Sequence, residues 1–407
     1  MDFLKDPLKL AADWLIGLMT GWGMPEGVAT GVAAFLGIFV LIAILMVIDI
    51  FLVWLERKVV ARFQDRIGPN RLGPFGLIQP FADIIKLLIK EDITPANADK
   101  VVYNLAPMLS MMSVLILWAI IPLAPNILGV DLNVAALYIV ATGAIGTLSI
   151  IMAGWSSNNK FALLGAFRQV AVMVSFEIPM VASLLIPTIL SGSMGMNAIT
   201  RAQYPLPFFI LSPLAALIFL IAAIAELGRA PFDMGEAESE LISGYNVEYS
   251  GMKFGMFYAG ELLHAFTFGG FWGILFFGGY GLFGLEKLPA LAFLDNVYIN
   301  MLTLIVKAVI GYWIIMWVKY TMMRIRIDHM LAFNWKFLTP LSFALLIVTA
   351  LVHALAKDAS PWVYGLSMFL SNLVLGWIVV EFLRRYSRAE REKVEGPAKP
   401  AMEAAGH

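Results

Sequence analysis

Apolar positions run through this chain in long stretches, broken at intervals by short polar connections. Nine stretches are candidate membrane-spanning helices: 31–55, 104–124, 133–155, 170–190, 208–226, 256–283, 298–320, 338–356 and 361–383. A helix needs about 20 mostly apolar residues to cross the hydrocarbon core of a bilayer. The first stretch exceeds that length, which predicts a tilted or protruding helix. Leu8 to Trp22 is too short and too interrupted to span. It reads as an interfacial segment, and no small-residue cleavage site marks it as a signal peptide. Between the first two spans the pattern changes. From Phe75 onward, Gln79, Asp83, Lys86 and Lys90 recur at steps of four, three and four, while Leu77, Phe81, Ile84 and Leu88 take the other face. That pattern predicts an amphipathic helix lying at the membrane surface. Gly68-Pro69-Asn70 and Gly73-Pro74 force turns before it.

The expected fold class is therefore an all-α integral membrane protein, with about nine transmembrane helices, an amphipathic interfacial helix and structured cytoplasmic loops. An N-terminal interfacial lead (1–30), a single polytopic membrane domain (31–383) and a charged cytoplasmic tail (384–407) make up the chain.

Composition supports that class and narrows the chemistry. The chain is 60% hydrophobic and 14% charged, with a mean hydropathy of +0.82, far from the balance of soluble domains. Cysteine is absent, which excludes disulfides and cysteine-ligated zinc or iron–sulfur clusters within the chain. The histidines, His264, His329, His353 and His407, are scattered. Only His264 and His353 are candidates for a haem pair, and satisfied or interfacial side chains are the better reading. Electrons for any redox chemistry would come from a partner. There is no Walker or dinucleotide glycine motif, no repeat of fixed period, and no nucleic-acid partner is expected.

Charge distribution orients the spans. The connections after spans 1, 3, 5 and 7, together with the tail, carry 22 of the 28 lysines and arginines. The opposite face has Lys5, Lys9, Arg201, Lys287 and Lys357, and Lys307 lies inside a span. Positive residues favour the cytoplasmic side, which puts the N-terminus outside and the C-terminus in the cytoplasm. Two cytoplasmic segments then stand out. The first, Glu56 to Lys100, opens on Arg57, Lys58, Arg62, Arg66 and Arg71. Anchoring to anionic headgroups explains part of that charge, but not the rigid Gly-Pro turns. The second runs from Glu226 to Glu248 and holds six acids: Glu226, Asp233, Glu236, Glu238, Glu240 and Glu248, offset only by Arg229. Pro231 ends span 5. A helix over 236–240 would place Glu236 and Glu240 on one face. Crowded carboxylates resist ionisation and titrate as coupled groups with raised pKa, which suits proton uptake near neutral pH. Taken alone, the run fits a solvated or basic-partner-facing loop equally well.

Charges within the spans favour the proton reading. Asp49, Glu177, Glu226 and Glu261 all fall in the cytoplasmic half, and Lys307 near a midplane, where an unpaired ammonium costs about 2.5–3.5 kcal/mol. Pro179 removes an amide from span 4 and frees the carbonyl of Ser175 beside Glu177 for water or a side chain. Acids and lysines are missing from the outer half of the nine spans. The pattern is that of a half-channel continuing sideways into another protein chain. Each of these charges also admits a structural pairing, Lys307 above all.

Long motifs in order give the chain a family. Glu56-Arg57-Lys58, Arg66-Ile67-Gly68-Pro69-Asn70, Gln79-Pro80-Phe81-Ala82-Asp83 with Lys86, and Arg229-Ala230-Pro231-Phe232-Asp233 through Glu248-Tyr249 are the strongest. Ala166-Phe167-Arg168 with Glu177 and Arg324-Ile325-Arg326-Ile327-Asp328 support them. Over Val28 to Glu381 the chain resembles the H-type membrane component of NADH:quinone oxidoreductase, respiratory complex I, the counterpart of mitochondrial subunit 1. It departs at Leu227-Gly228, where that family commonly has Thr-Asn. The resemblance implies a component of the bacterial inner membrane at the heel of the membrane arm, under the hydrophilic arm. It would form much of the quinone chamber and couple quinone reduction to proton translocation. The quinone (ubiquinone or a relative) is shared with neighbouring subunits that hold the headgroup and the last iron–sulfur cluster; this chain carries no flavin or cluster and is not active alone. Partners would be the quinone-site subunits of the hydrophilic arm, the membrane-arm subunits and lipid.

Roles follow as expectations. Arg57, Arg62, Arg66, Asp83, Lys86 and Phe232 would shape the quinone chamber. Arg229, Asp233, Glu236, Glu238, Glu240 and Glu248 would form a loop that responds to quinone reduction, and Arg324, Arg326 and Asp328 would pair with it. Glu177, Glu226, Glu261 and Lys307 would carry charge or protons onward. No metal site is expected. The competing readings are the equivalent component of a membrane-bound hydrogenase or coenzyme-F420 dehydrogenase complex, an independent ion or proton transporter, and a structural anchor. The absence of an inverted repeat with paired broken helices counts against the transporter.

Overall fold

The computed structural model of the chain describes residues 7–237, 239–283, 296–358 and 360–395; Glu238, Lys287, Lys5 and the tail from 396, with His407, lie outside these. Among the described residues the regular structure is helical. In chain order the helices are α1 (Pro7–Gly21), α2 (Glu26–Phe63), α3 (Gln79–Ile89), α4 (Lys100–Leu117), α5 (Ala135–Ser156), α6 (Lys160–Ser191) and α7 (Met196–Ala202). There follow α8 (Phe208–Leu211), α9 (Pro213–Glu226), α10 (Gly251–Phe276), α11 (Val297–Thr321), α12 (Ile327–Phe333), α13 (Thr339–Ala356) and α14 (Pro361–Glu395).

Seven helical stretches among the described residues are long and apolar enough to cross a membrane: α2, α4 with the turn after it, α5, α6, α11, α12 through α13, and α14. Two of the expected nine, 208–226 and 256–283, are not among these seven, so the count of nine is not confirmed. The stretch 208–226 is broken at Ser212, whose φ of −140° and ψ of 73° interrupt the helix, because the ring of Pro213 disfavours helical backbone at the residue before it. What remains is the 14-residue α9. Asn372 of α14 repairs the break, donating to the Leu211 carbonyl at 3.3 Å and pairing with Ser212 Oγ at 3.1 Å. The stretch 256–283 gives the 26-residue α10, which has the length but carries Lys253, Glu261 and His264. It ends at Phe276, short of the expected boundary, where Gly278 and Gly279 take positive φ.

A second correction concerns α2. Its 38 residues extend about 57 Å at 1.5 Å per residue, well beyond a bilayer core, so Glu56, Arg57, Lys58 and Arg62 belong to its last turns and not to a loop. The run ERKVVARF has no glycine or proline to stop it, and basic residues suit the negative end of a helix. The buried positions Leu45, Asp49, Leu52 and Glu56 form one stripe at spacings of four, three and four, which carries two carboxylates into the protein interior.

Connections gather at the two ends of the bundle. At one end the loops after α2, α5, α9 and α11 meet: Asp99 N–H donates to the Ser156 carbonyl, Ile93 N–H to Ser250 Oγ and Ile325 N–H to the Pro231 carbonyl. At the other end Ala136 N–H donates to the Met194 carbonyl, Asn197 to the Pro125 carbonyl and Gln203 to the Ile274 carbonyl. α10 is the hub between them. It packs on α11 through Gly269 and Gly311, where a Cβ on Gly269 would lie 2.6 Å from the Ala308 carbonyl oxygen; such small-residue contacts bring helix backbones together in lipid. α3 leaves Phe81 and Leu88 exposed, as its pattern predicts, together with Ile85 and Ile89, and turns Asp83 inward; Ile84 of the expected apolar face instead lines the interior beside Asp83.

Candidate functional site

The polar end of the bundle is organised around Arg229. The chain leaves α9 through Leu227 and Gly228, whose φ of +62° lets it reverse and drive the next side chain inward. The Arg229 side chain is 0% exposed. Its Nη1 lies 3.5 Å from Glu56 of α2, and its Nε 3.1 Å from Glu261 of α10. Glu56 also accepts from Lys319 Nζ at 3.2 Å and from the Tyr320 hydroxyl, both at the end of α11. Glu56 and Arg229 are buried, and Glu261 and Lys319 join them half-buried. The buried pair is tolerable because each charge has an opposite partner, and removing one leaves the other uncompensated.

The acidic loop wraps this centre and is pinned by side chains from its neighbours. Arg324 donates to Asp233 Oδ2 at 3.2 Å, to the Glu236 carbonyl at 3.0 Å and to Ser239 Oγ at 3.0 Å. Arg168 of α6 meets Glu240 at 2.6 Å, and Asn159 donates to Glu248 Oε1 at 2.7 Å. Tyr103 stacks on Tyr249 with ring centroids 4.1 Å apart. The described residues of 236–240 are not helical. Turns closed by Ala237 N–H on the Ser243 carbonyl and Glu240 N–H on the Ala237 carbonyl send Glu236 inward and Glu240 out to Arg168. The two do not share a face, because proline and glycine on either side prevent the helix from nucleating. Among the described acids of the loop, Asp233, Glu240 and Glu248 are thus committed to structural partners, and Glu236 faces the interior.

Glu236 stands between two cavities. The larger, about 880 Å³, lies between α2, α3, α10 and the loop, with Asp49, Arg57, Asp83, Lys86, Glu236, Tyr258 and Arg324 on its polar side. Ile50, Val53, Ile84, Leu87 and Phe254 line the rest. Arg57 bridges to Asp83, which Lys86 also approaches at 3.7 Å. The smaller cavity, about 60 Å³, is lined by Glu236, Glu261, Glu226, His264 and Gln169, with Ser110 and Ser113. The Glu261 carboxylate, with burial added to it, pushes the Glu236 pKa up to about 8, against the opposing pull of Lys319. Glu226 is buried, and Glu177 of α6 is near enough to interact with it electrostatically.

Other expected residues lie elsewhere. Arg62 and Arg66 are exposed, the latter bonded to Gln64 at 2.7 Å. Phe232 is buried against Phe176, ring centroids 4.8 Å apart, and lines neither cavity. Arg326 and Asp328 pair with each other at 3.4 Å on the surface, so only Arg324 of that trio reaches the acidic loop; Arg326 is 80% exposed and points away. Lys307 donates to the carbonyls of Phe277, Gly279 and Gly281 at 2.6–2.8 Å, so its ammonium is well coordinated at the end of α10. That is 16 residues beyond Glu261, about 24 Å along the helix. The carbonyl freed by Pro179 does find a side chain, since Asn334 Nδ2 donates to Ser175 O at 2.6 Å. Sequence pattern assigns no site role to Glu56, Lys319, Tyr320 or Gln169. The first is detectable from its seven-residue spacing behind Asp49; the others meet the site only through long-range packing.

Helices of membrane-spanning length, a buried ion-pair network and two cavities sharing an acidic wall define a polytopic membrane protein with a polar interior at one end. Comparison with known proteins makes the class particular. The NADH dehydrogenase family model matches residues 36–350. The NADH-quinone oxidoreductase H subunit of Dehalococcoides mccartyi strain CBDB1 is 46% identical over 348 residues, covering 86% of this chain and 92% of the relative. Its namesake from Brevibacillus brevis is 41% identical over 77% of this chain and 90% of its own length. That from Paramagnetospirillum magneticum is 38% identical over 83% and 97%. The chain belongs to the family of NADH-quinone oxidoreductase H subunits, which are membrane components of complex I.

Proposed function

We propose that this chain forms much of the quinone chamber of a proton-pumping NADH:quinone oxidoreductase and couples quinone reduction to proton movement. The observation that carries this reading is Glu236, one carboxyl group lining both the 880 Å³ cavity and the small inner one. The larger cavity has the size and the mixed lining of a small-molecule site: an apolar side on α2 and α3 for a prenyl chain, and a polar side for a headgroup. Electrons come from a partner protein.

Reduction of a quinone to quinol adds electrons and takes up protons, so the charge at the polar wall changes during turnover. A negative charge developing beside Glu236 raises its proton affinity, and proton delivery to the headgroup lowers the charge again. Glu236, poised near neutrality, exchanges a proton with either cavity. Glu261 and Glu226 extend the route inward and Glu177 continues it toward the bundle surface. Arg229 holds the carboxylates in place. Lys307, on its carbonyls, anchors the turn after α10 and lies outside this path. The basic-residue distribution supports an orientation with the acidic end toward the cytoplasm.

The size of the chamber favours a quinone enzyme over a hydrogenase relative, which needs no such cavity. A photoreactive quinone analogue applied to the assembled enzyme tests this. Labelling of peptides containing Asp83 or Tyr258, displaced by excess quinone, is expected. Labelling confined to other subunits would refute the chamber assignment.

A further inference from the structure

Gln169, on the inner face of α6, is buried to 3% exposure and lines the small cavity with Glu226, Glu236, Glu261 and His264. Its amide lies between two glycines of the loop. A Cβ on Gly228 would fall 2.1 Å from its Nε2, and one on Gly235 would fall 3.4 Å from its Cδ. A Cβ at 228 would fit only if the amide moved away, so glycine at 228 suits both its φ of +62° and the amide occupying its side-chain space. Gln169 Oε1 and Glu226 Oε2 are both buried without a hydrogen-bond partner among the described residues. Unpaired buried oxygens are costly, and a polar cavity of about 60 Å³ has room for a few waters that would bond to both.

We propose that Gln169 is a positioning residue of the proton route: its amide orients water between Glu236 and Glu226, and Gly228 is the opening that admits it. The inference rests on the coupling role proposed above. A neutral amide suits this place because it donates and accepts at once and does not compete for the proton. An acid here would add a further carboxylate to Glu226, Glu236 and Glu261; an apolar side chain would break the water chain.

The amide is needed at a point in space, not at a point in the sequence, and this gives the test. Asn is the non-glycine residue most tolerant of left-handed backbone, and an Asn side chain on residue 228 would bring an amide to nearly the same point once Gln169 is cut back. In the assembled complex, Gln169→Leu is expected to lower quinone-dependent NADH oxidation about tenfold, a barrier increase of about 1.4 kcal/mol, with the KM for quinone unchanged. Its solvent deuterium isotope effect on turnover should rise, which a loss of packing alone would not produce. The double variant Gln169→Ala/Gly228→Asn is expected to recover most of the rate and the original isotope effect. Assembly is checked by the yield of intact complex, and the double variant guards against a folding artefact. If Gln169→Leu assembles and keeps full turnover with an unchanged isotope effect while Glu236→Gln blocks turnover, the Gln169 role is wrong and the coupling reading survives. If Glu236→Gln is also silent, both fall.

Discussion

At the scale of the residue, the proposed coupling would divide the work of the site between Arg229, as structure, and Glu236, as the carrier of charge. Arg229 is held by Glu56 and Glu261 with no exposure to solvent. Arg229→Met leaves both carboxylates without this cation and should destabilise the fold by about 3–5 kcal/mol, seen as lost assembly or a lower melting temperature of the complex. Adding Glu261→Gln should recover part of that loss. On the proposed reading, Glu236 is the titrating partner. Its ordinary carboxyl pKa of 4.5 is raised to about 8 by Glu261 and burial, so it holds its proton below that pH and loses it as pH rises through it. Coupled turnover should therefore decline on the alkaline side of about pH 8, and the residual turnover of Glu236→Gln should lack that limb. A pH–rate profile of wild type and variant checks both. The concentration of acids is plain in the sequence. Which acid stays available is not, because Asp233, Glu240 and Glu248 are committed to Arg324, Arg168 and Asn159 from other parts of the chain.

At the scale of the element, prolines explain where the hydropathy pattern succeeds and where it fails. Pro179 frees the Ser175 carbonyl, as its position predicts, and Asn334 takes it up across 159 residues of sequence. Asn334→Leu should cost about 1–3 kcal/mol by leaving that carbonyl unsatisfied. Pro179→Ala returns an amide to α6 that can bond Ser175 directly, so the double variant should be less destabilised than Asn334→Leu alone. Thermal unfolding of the four members of that cycle measures the coupling. Pro213, by contrast, breaks the apolar run 208–226 into α8 and α9, which hydropathy does not register. The overrun of α2 past the membrane is equally hidden, since a charged helix and a charged loop have the same composition. Amphipathic α3 is legible because its period is local.

At the scale of the whole molecule, the alternation of loops between two ends agrees with the order of apolar stretches, although only seven described stretches are apolar and long enough to cross by themselves. The absence of native cysteine makes the orientation simple to test. Leu241→Cys at the acidic end should be modified by a membrane-impermeant maleimide only from the cytoplasmic side, and Asn126→Cys at the opposite end only from outside. The reverse pattern would invert the topology. A family can be read from the order of motifs along most of the chain, whereas the joining of two cavities through one carboxyl group depends on how α2, α6, α10 and the loop pack. The most direct test of that joint is proton translocation measured alongside quinone reduction in proteoliposomes containing the Glu236→Gln enzyme. The account predicts that coupled turnover and proton movement fall together by about tenfold or more, with the KM for quinone little changed. Full-rate quinone reduction with wild-type proton translocation in that variant would contradict it.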